Sequence, residues 1–210
     1  MVACGANTTY FSDLDLAFNS IEFEEYPALK PEKYKGEGFT TTAPAAIIKA
    51  VRDSSDDATK QNPHFTSYDS TQVISYEVFK TDFSPYYWFS NDSLFFEKEV
   101  LLGKAYEDSI IQKNWKRNGN LRAIEFVTQK PDNNMLKKTR FFVNADTLYE
   151  LVAHLPKQSI DDESTKRFFD DFKIDNEIQP TIFTRRPEKL LTALQSTDTV
   201  EFEKALTALE

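Results

Sequence analysis

The sequence has few of the residues that assemble catalytic or metal sites. Its single cysteine, Cys4, excludes an internal disulfide and a cysteine cage around a metal. Its two histidines, His64 and His154, have no second ligand three or four residues further on, as a zinc site usually requires. The chain contains no glycine-rich phosphate loop and no nucleophile elbow. We therefore expect no enzyme activity, no metal and no cofactor.

Long apolar runs are also missing, since no stretch approaches the roughly 18 residues that a membrane-spanning helix needs. The tetrapeptide Val2-Ala3-Cys4-Gly5 is similar to the end of a bacterial lipoprotein signal, in which the cysteine is acylated. The apolar stretch that precedes such a cysteine is absent, because only Met1 stands there. A lipid anchor at Cys4 would place the protein in the bacterial cell envelope or periplasm, whereas a plain thiol leaves a cytoplasmic location open.

The charge balance is acidic, with 34 Asp and Glu against 25 Lys and Arg, for a net charge of −9. A general nucleic-acid-binding surface needs cations that displace counterions from phosphate, so we expect no nucleic-acid partner. The segment from Lys104 to Arg140 is an exception, because it holds nine Lys and Arg against four Asp and Glu, a local charge of +5. Both a solvated hairpin and a partner-binding patch fit this excess.

The chain is rich in aromatics, with 18 Phe and 9 Tyr against 5 Gly, and this composition favours sheet. Residues 65–68 and 73–79 flank the turn pair Asp69-Ser70 and predict a hairpin. Residues 106–115, 121–129, 138–144 and 147–155 predict four further strands. A tight turn at Asn118-Gly119 and turns at 131–134 and 145–146 separate them, so we expect an antiparallel meander.

Helix signals stand before and after this meander. Asn91 or Asp92 caps a predicted helix that runs to Leu102 and ends at Gly103. Its mostly apolar side would consist of Leu94, Phe95, Lys98, Leu101 and Leu102. A second helix follows Pro156 and holds Phe168, Phe169 and Phe172, at spacings that share a face with Thr165. In the last strand, one face is apolar (Tyr149, Leu151, Ala153 and Leu155) and the other is mixed (Leu148, Glu150, Val152 and His154), which predicts that helices partly cover both sides of the sheet.

The last strand and the second helix together resemble the PsbP-like fold family. The resemblance rests on "TRFFVNADTLYELVAHLP" followed by "ESTKRFFDDFKI", and it covers roughly residues 36–174. The matching positions are Tyr149, Leu151, Phe168, Phe169, Asp171 and Phe172, with Asp171 where the family commonly has serine. This likeness implies an α+β fold, an antiparallel sheet with helices on both faces in an α/β/α sandwich. It also implies a non-catalytic module, since the family includes photosystem accessory subunits, a small-GTPase partner and bacterial envelope proteins.

These signals divide the chain into three parts: an N-terminal extension (1–35), the PsbP-like domain (36–178) and a helical pair (179–210). Pro187 opens the first helix of the pair, and the run 196–198 caps the second. The pair is similar to a HEAT-type helical repeat with Val200, Ala205, Leu206 and Leu209 at inward positions, which would make the chain part of a longer protein. The alternative is a helical hairpin that folds back on the sheet.

Two clusters are candidate binding surfaces. The aromatic run that contains Tyr86, Tyr87 and Trp88 fits either core packing or a small-ligand pocket. The hairpin tip combines cations with an indole, the composition of patches that contact acidic proteins or polyanions. Its residues are Lys113, Trp115, Lys116 and Arg117. We expect a binding or scaffolding module of a bacterial cell-envelope protein with an unidentified protein partner. A small-ligand-binding domain with an aromatic-lined pocket is the alternative, and Cys4 would supply the only membrane contact.

Overall fold

The computed structural model describes residues 29–48, 65–105, 108–131 and 133–209 of the chain. The predictions for Cys4 and His64 therefore lie outside the described residues. The strands are β1 (Glu32–Lys35), β2 (Phe39–Ala43), β3 (Ala46–Ile48), β4 (Phe65–Asp69), β5 (Ile74–Asp82), β6 (Ser109–Asn118), β7 (Leu121–Gln129), β8 (Met135–Asn144), β9 (Thr147–Pro156) and β10 (Lys173–Ile174). The helices are α1 (Asp92–Leu102), α2 (Glu163–Asp170), α3 (Pro187–Leu194) and α4 (Thr199–Thr207). No helix within the described ranges is long and apolar enough to cross a membrane.

The main sheet has seven antiparallel strands in the order β3-β4-β5-β9-β8-β7-β6. The predicted hairpin of residues 65–79 is confirmed as β4 and β5, and the predicted meander as β6 to β9. The first meander strand was predicted to end at Trp115, but it continues to Asn118, because its pairing with β7 extends to the two-residue turn; the first two residues of the predicted strand lie outside the described residues.

Two turns of the meander contain a residue with a positive φ angle. The prediction placed Asn118-Gly119 at the centre of the first turn, but Asn118 pairs with Leu121 and the two loop residues are Gly119 and Asn120. Only Gly119 has a positive φ, 60°, a conformation that glycine adopts without a steric cost. Ala145, in the turn between β8 and β9, also has a positive φ, of 54°.

One face of the main sheet packs against α2 and a small sheet of order β1-β2-β10. Tyr149, Leu151, Ala153 and Leu155 of β9 all point into this core, as their alternation predicts. Helix α2 contributes Phe168 and Phe169 to this core, as predicted. Phe172 is in the same core, but it lies beyond the end of the helix at Asp170 rather than within it. Strand β1 pairs with β2 although it falls within the predicted N-terminal extension.

The opposite face packs against α1 and the connection between β10 and α3. Asn91 caps α1, since its side chain accepts a hydrogen bond from the Leu94 amide at 3.0 Å. The buried residues of α1 are Phe95, Phe96 and Val100, whereas Leu94, Leu101 and Leu102 are exposed. The predicted apolar side of α1 was therefore wrong for these three leucines, because the two adjacent Phe rings point to the sheet and fix the rotation of the helix. The predicted α/β/α arrangement, with helices on both faces, is confirmed.

The C-terminal helices form the predicted helical pair. They cover the segment before α1 rather than the main sheet: Tyr86 is buried with Ala193 and Ala205 in a separate small core. The Tyr86 hydroxyl donates to a Glu201 carboxylate oxygen at 2.7 Å, and Ser84 donates to the Lys204 carbonyl at 3.2 Å. Three of the predicted inward positions, Val200, Leu206 and Leu209, are exposed, while Ala205 is buried.

Candidate partner-binding groove

An open groove lies at the end of the main sheet where β6 turns into β7. Its volume is about 620 Å³, and it is bounded by the hairpin tip, the first turn of α1 and the connection after β10. The lining residues are Asp92, Phe96, Trp115, Lys116, Arg117, Asn120, Arg122, Gln179, Pro180 and Phe183. Three of the four predicted hairpin-tip residues are among them: Trp115, Lys116 and Arg117. We call this site the tip groove.

The connection after β10, residues 175–184, fixes the walls of the tip groove; we call it the strap. Glu177 of the strap accepts a hydrogen bond from the Asn120 amide at 2.9 Å, so its carboxylate lies against the first turn. Asn144 accepts from the Ile178 amide at 2.6 Å, and the Thr181 amide donates to the Ala145 carbonyl at 2.7 Å. The strap thus ties both turns at this end of the sheet together, which holds the groove in one shape.

Trp115 forms the aromatic wall of the groove and is 42% exposed. Its ring meets Phe96 of α1 edge to face, with centroids 5.8 Å apart. The Arg122 guanidinium lies over the same ring, 3.8 Å from its centroid, and pairs with the Asp92 carboxylate. Cation–π stacking and the ion pair fix Arg122, so the groove presents an ordered indole–guanidinium surface.

Lys116 and Arg117 are the exposed, unpaired cations of the groove. In the part of the chain that the structure describes, neither has an acidic partner within ion-pair distance. Five other cations of the basic segment are paired with carboxylates, namely Lys113, Arg122, Lys137, Lys138 and Arg140. The groove thus contains two cations of this segment that have no ion-pair partner among the described residues.

Lys113 was predicted as part of the same patch, but its ammonium group pairs with Glu97 of α1 at 2.6 Å and does not line the groove. Both side chains are partly exposed, so this pair contributes little stability. Lys113 lies along β6, four residues before Arg117, and extends the basic character of that edge.

The second predicted cluster, Tyr86 to Trp88, lies outside the tip groove. Tyr86 is buried beneath the helical pair, and Tyr87 stacks on Phe83 with centroids 4.9 Å apart. Trp88 is 43% exposed, and the Arg185 guanidinium lies 5.4 Å from its ring centroid. Tyr86 and Tyr87 have packing contacts, and Trp88 alone of the three offers an exposed ring.

A group of ionisable residues lies on the α1 face, away from the groove. Burial raises the pKa of Glu150, and the charge of Glu77 on the neighbouring strand raises it further, while Lys137 lowers it in part. Burial also raises the pKa of Glu99 of α1. The pKa of His154 is lowered, chiefly by desolvation of its imidazole and then by the positive charge of Lys137. Among the described residues no three His, Cys, Asp or Glu side chains come together to hold a metal ion.

Sequence reasoning missed the residues that complete the groove from other elements. Arg122 stands opposite Arg117 in the hairpin register and was visible as a second cation next to the turn. Asp92 was considered only as a helix cap. Gln179, Pro180 and Phe183 come from the strap, whose position depends on side-chain contacts that no local pattern indicates.

Comparison with known proteins identifies the fold. No protein-family model matches the chain, and no curated protein is similar to it in sequence. Among solved structures, the solution structure of cyanobacterial PsbP (CyanoP) from Synechocystis sp. PCC 6803 matches with a TM-score of 0.50 and 11% sequence identity. The match covers 74% of this chain and 99% of that one. The chain therefore has a PsbP-like fold, as the strand and helix signature at 149–172 implied.

Proposed function

We propose that this domain is a non-catalytic binding module that recognises an acidic protein partner through the tip groove. The observation that carries the proposal is the exposed Arg117, which shares the α1 face of β6 with the Trp115–Arg122 stack, together with the adjacent cation Lys116 at the groove rim, next to a turn that the strap holds in place. Exposed Trp and Arg at the centre of a concave surface are the residue types that dominate protein-binding energy. The unpaired cations select for acidic partners and steer their approach.

The proposed cellular location and the proposed repeat array rest on the sequence near Cys4 and on the helical pair. We propose a bacterial cell-envelope protein, anchored by lipid if Cys4 is acylated, in which the helical pair begins an array of HEAT-type repeats. The exposed side chains of Val200, Leu206 and Leu209 support the array, because a further helical repeat would cover them. The small-ligand alternative has less support, since Tyr86 and Tyr87 are already engaged in packing.

The tip groove is tested with an acidic aromatic peptide and the full chain labelled with ¹⁵N. The probe is acetylated and amidated Glu-Phe-Glu-Thr-Glu-Phe-Glu, and the control peptide has Lys at every Glu position. The chain has two tryptophans, so its spectrum contains two indole N–H signals. We expect the acidic peptide to shift the Trp115 signal and leave the Trp88 signal in place, because only Trp115 lines the groove.

The matched variants change charge at the groove or far from it. Lys116→Glu with Arg117→Glu should weaken binding about tenfold or more, because attraction becomes repulsion. Lys157→Glu with Lys166→Glu makes the same change in net charge at exposed positions outside the groove and should have little effect. The proposal is wrong if both double variants weaken binding equally, or if the acidic peptide shifts neither indole.

A further inference from the structure

We infer that the acidic partner docks as an extended strand added to the outer edge of β6, with its side chains reaching the tip groove. This inference rests on the proposed function and specifies its recognition mode. Strand β6 is the last strand of the main sheet, and no described residue pairs with its outer side. Every residue from Ser109 to Arg117 is exposed, which is unusual for a strand of ten residues.

The hairpin register shows which backbone groups of β6 are available. Asn118 and Leu121 close the two-residue turn and therefore form a hydrogen-bonded pair. Hydrogen-bonded and non-hydrogen-bonded pairs alternate along an antiparallel ladder. The amide and carbonyl groups of Lys113, Trp115 and Arg117 consequently point away from β7. Three alternate residues thus offer the donors and acceptors that an added strand needs.

A bulge limits this edge to its half near the groove. Ile110 pairs with Thr128 and Gln112 pairs with Val127, so Ile111 is an extra residue without a partner. Bulges twist an edge strand and interrupt regular pairing on its outer side. Residues 112–118 keep an unbroken register, and this stretch contains Lys113, Trp115, Lys116 and Arg117.

The charges of this stretch decide which strand can bind. A second copy of β6 would bring the unpaired cations Lys116 and Arg117 of the two copies close together, and like charges across a strand pair are destabilising. A strand that carries Asp or Glu would instead form cross-strand pairs with the same cations. The edge therefore disfavours association between copies of this chain and favours an extended acidic segment of another protein.

The edge and the groove form one surface. The side chains of Trp115 and Arg117 share the α1 face with Arg122 and Ile124, their partners across the hairpin. An added strand would alternate in the same way, so every second side chain would lie on this face beside the Trp115–Arg122 stack. Backbone hydrogen bonds to β6 would then provide affinity, and contacts between the groove and the partner's side chains would provide specificity.

Amide hydrogen exchange of the ¹⁵N-labelled full chain, with and without saturating Glu-Phe-Glu-Thr-Glu-Phe-Glu, tests this mode. We expect exchange at Lys113, Trp115 and Arg117 to slow by about tenfold, because their amides gain a partner. The amides of Asn114 and Lys116, already bonded to β7, should change much less. A peptide with the same side chains, N-methylated at the central Thr and at the Glu before it, keeps the charge and both rings but lacks one paired N–H in either strand register, so it should bind about tenfold more weakly.

The outcomes separate the two proposals. If the peptide shifts the Trp115 indole and needs Lys116 and Arg117, but alternate β6 amides gain no protection, the groove binds acidic ligands and strand addition is wrong. Equal binding of the N-methylated peptide would lead to the same conclusion. If neither the indole nor any β6 amide responds to the acidic peptide, both the recognition mode and the proposed function fail. Alternating protection together with weak binding of the N-methylated peptide supports both.

Discussion

Arg140 and Arg117 lie in the same meander of strands but have opposite surroundings. Arg140 is buried under α2, where its guanidinium donates to Glu125 at 2.6 and 2.9 Å, to the Phe169 carbonyl at 2.8 Å and to Asp170 at 2.9 Å. Arg117 is exposed at the rim of the tip groove and has no acidic partner among the described residues. The first arginine is committed to the fold, and the second is available to a ligand.

This difference separates two uses of one basic segment. The net charge of +5 between Lys104 and Arg140 does not distinguish the buried cation that stabilises the fold from the exposed cations that can bind a partner. Burial makes the Glu125–Arg140 pair intolerant of losing one member, because the remaining charge stays desolvated. Exposure makes Lys116 and Arg117 nearly neutral for stability, because water already solvates them. The predictions below therefore measure stability and binding separately.

The largest expected effect follows removal of the buried cation. Arg140→Ala should lower the free energy of unfolding by about 3 kcal/mol, because Glu125 keeps only Lys138 as a partner, at 3.6 Å, in a buried position. The α2 carboxyl end also loses the guanidinium that binds the Phe169 carbonyl. Urea unfolding followed by circular dichroism measures this change.

A double variant isolates the cause. Arg140→Met with Glu125→Leu replaces both charges by apolar side chains and should recover most of the stability that Arg140→Ala loses. If the double variant is as unstable as the single one, lost packing rather than an unpaired charge explains the effect. Arg140 would then stabilise the fold by filling space under α2 rather than by pairing with Glu125.

The next largest effect concerns the turn that positions Lys116 and Arg117. Gly119→Ala should cost about 1 to 2 kcal/mol, because a residue with a Cβ is strained at a φ of 60°. The added Cβ would also displace Glu177, whose carboxylate lies against that position. Thermal and urea unfolding of this variant and of the control Asn120→Ala measure the cost. A loss of stability equal to that of the control would show that the turn tolerates the substitution.

Much of the fold was predictable because its signals are local. Turn residues between alternating strands gave the β6–β9 meander, and Asn91 with Gly103 gave both ends of α1. The rotation of α1 was not predictable, since Leu94 and Phe95 are equally apolar and only packing against the sheet distinguishes them. The small sheet was missed because two-residue β10 pairs with β2 across more than a hundred residues.

The candidate site was predictable only in part, for the same reason. Trp115, Lys116 and Arg117 are adjacent in sequence, so their cluster is visible without a structure. The pairing of Lys113 with Glu97 depends on where α1 lies over β6, and no spacing rule indicates that contact. The strap supplies Pro180 and Phe183 to the groove through hydrogen bonds to two turns, which are long-range contacts.

A pH-dependent effect is expected on the α1 face, where carboxyl groups are buried with less compensation than Glu125. The pKa of Glu150 is raised above its ordinary value of 4.5, chiefly by burial. The folded state therefore holds its proton to higher pH than the unfolded state, so stability falls as pH rises from about 4.5 through the raised pKa. Glu150→Gln should make this decline shallower.

Urea unfolding at a series of pH values measures the decline for the parent and for Glu150→Gln. His154 acts in the opposite sense, because its lowered pKa makes stability increase with pH up to its ordinary value of 6.5. The difference between variant and parent at each pH removes the contribution of His154. Glu203→Gln, on the exposed face of α4, is the control. Equal slopes for Glu150→Gln and the parent would contradict the prediction.

The smallest effect on stability is expected where the effect on binding is largest. Lys116→Ala and Arg117→Ala should each change the free energy of unfolding by no more than about 0.5 kcal/mol, because both side chains are solvated and neither has an ion-pair partner within the described chain. Each should nevertheless weaken binding of Glu-Phe-Glu-Thr-Glu-Phe-Glu, and higher salt should reduce the difference from the parent, since exposed charges are screened. Unfolding and peptide titration on the same protein samples test both statements. If either substitution destabilises the domain by as much as Gly119→Ala, its cation belongs to the fold like Arg140, and the tip groove loses that cation as a recognition residue.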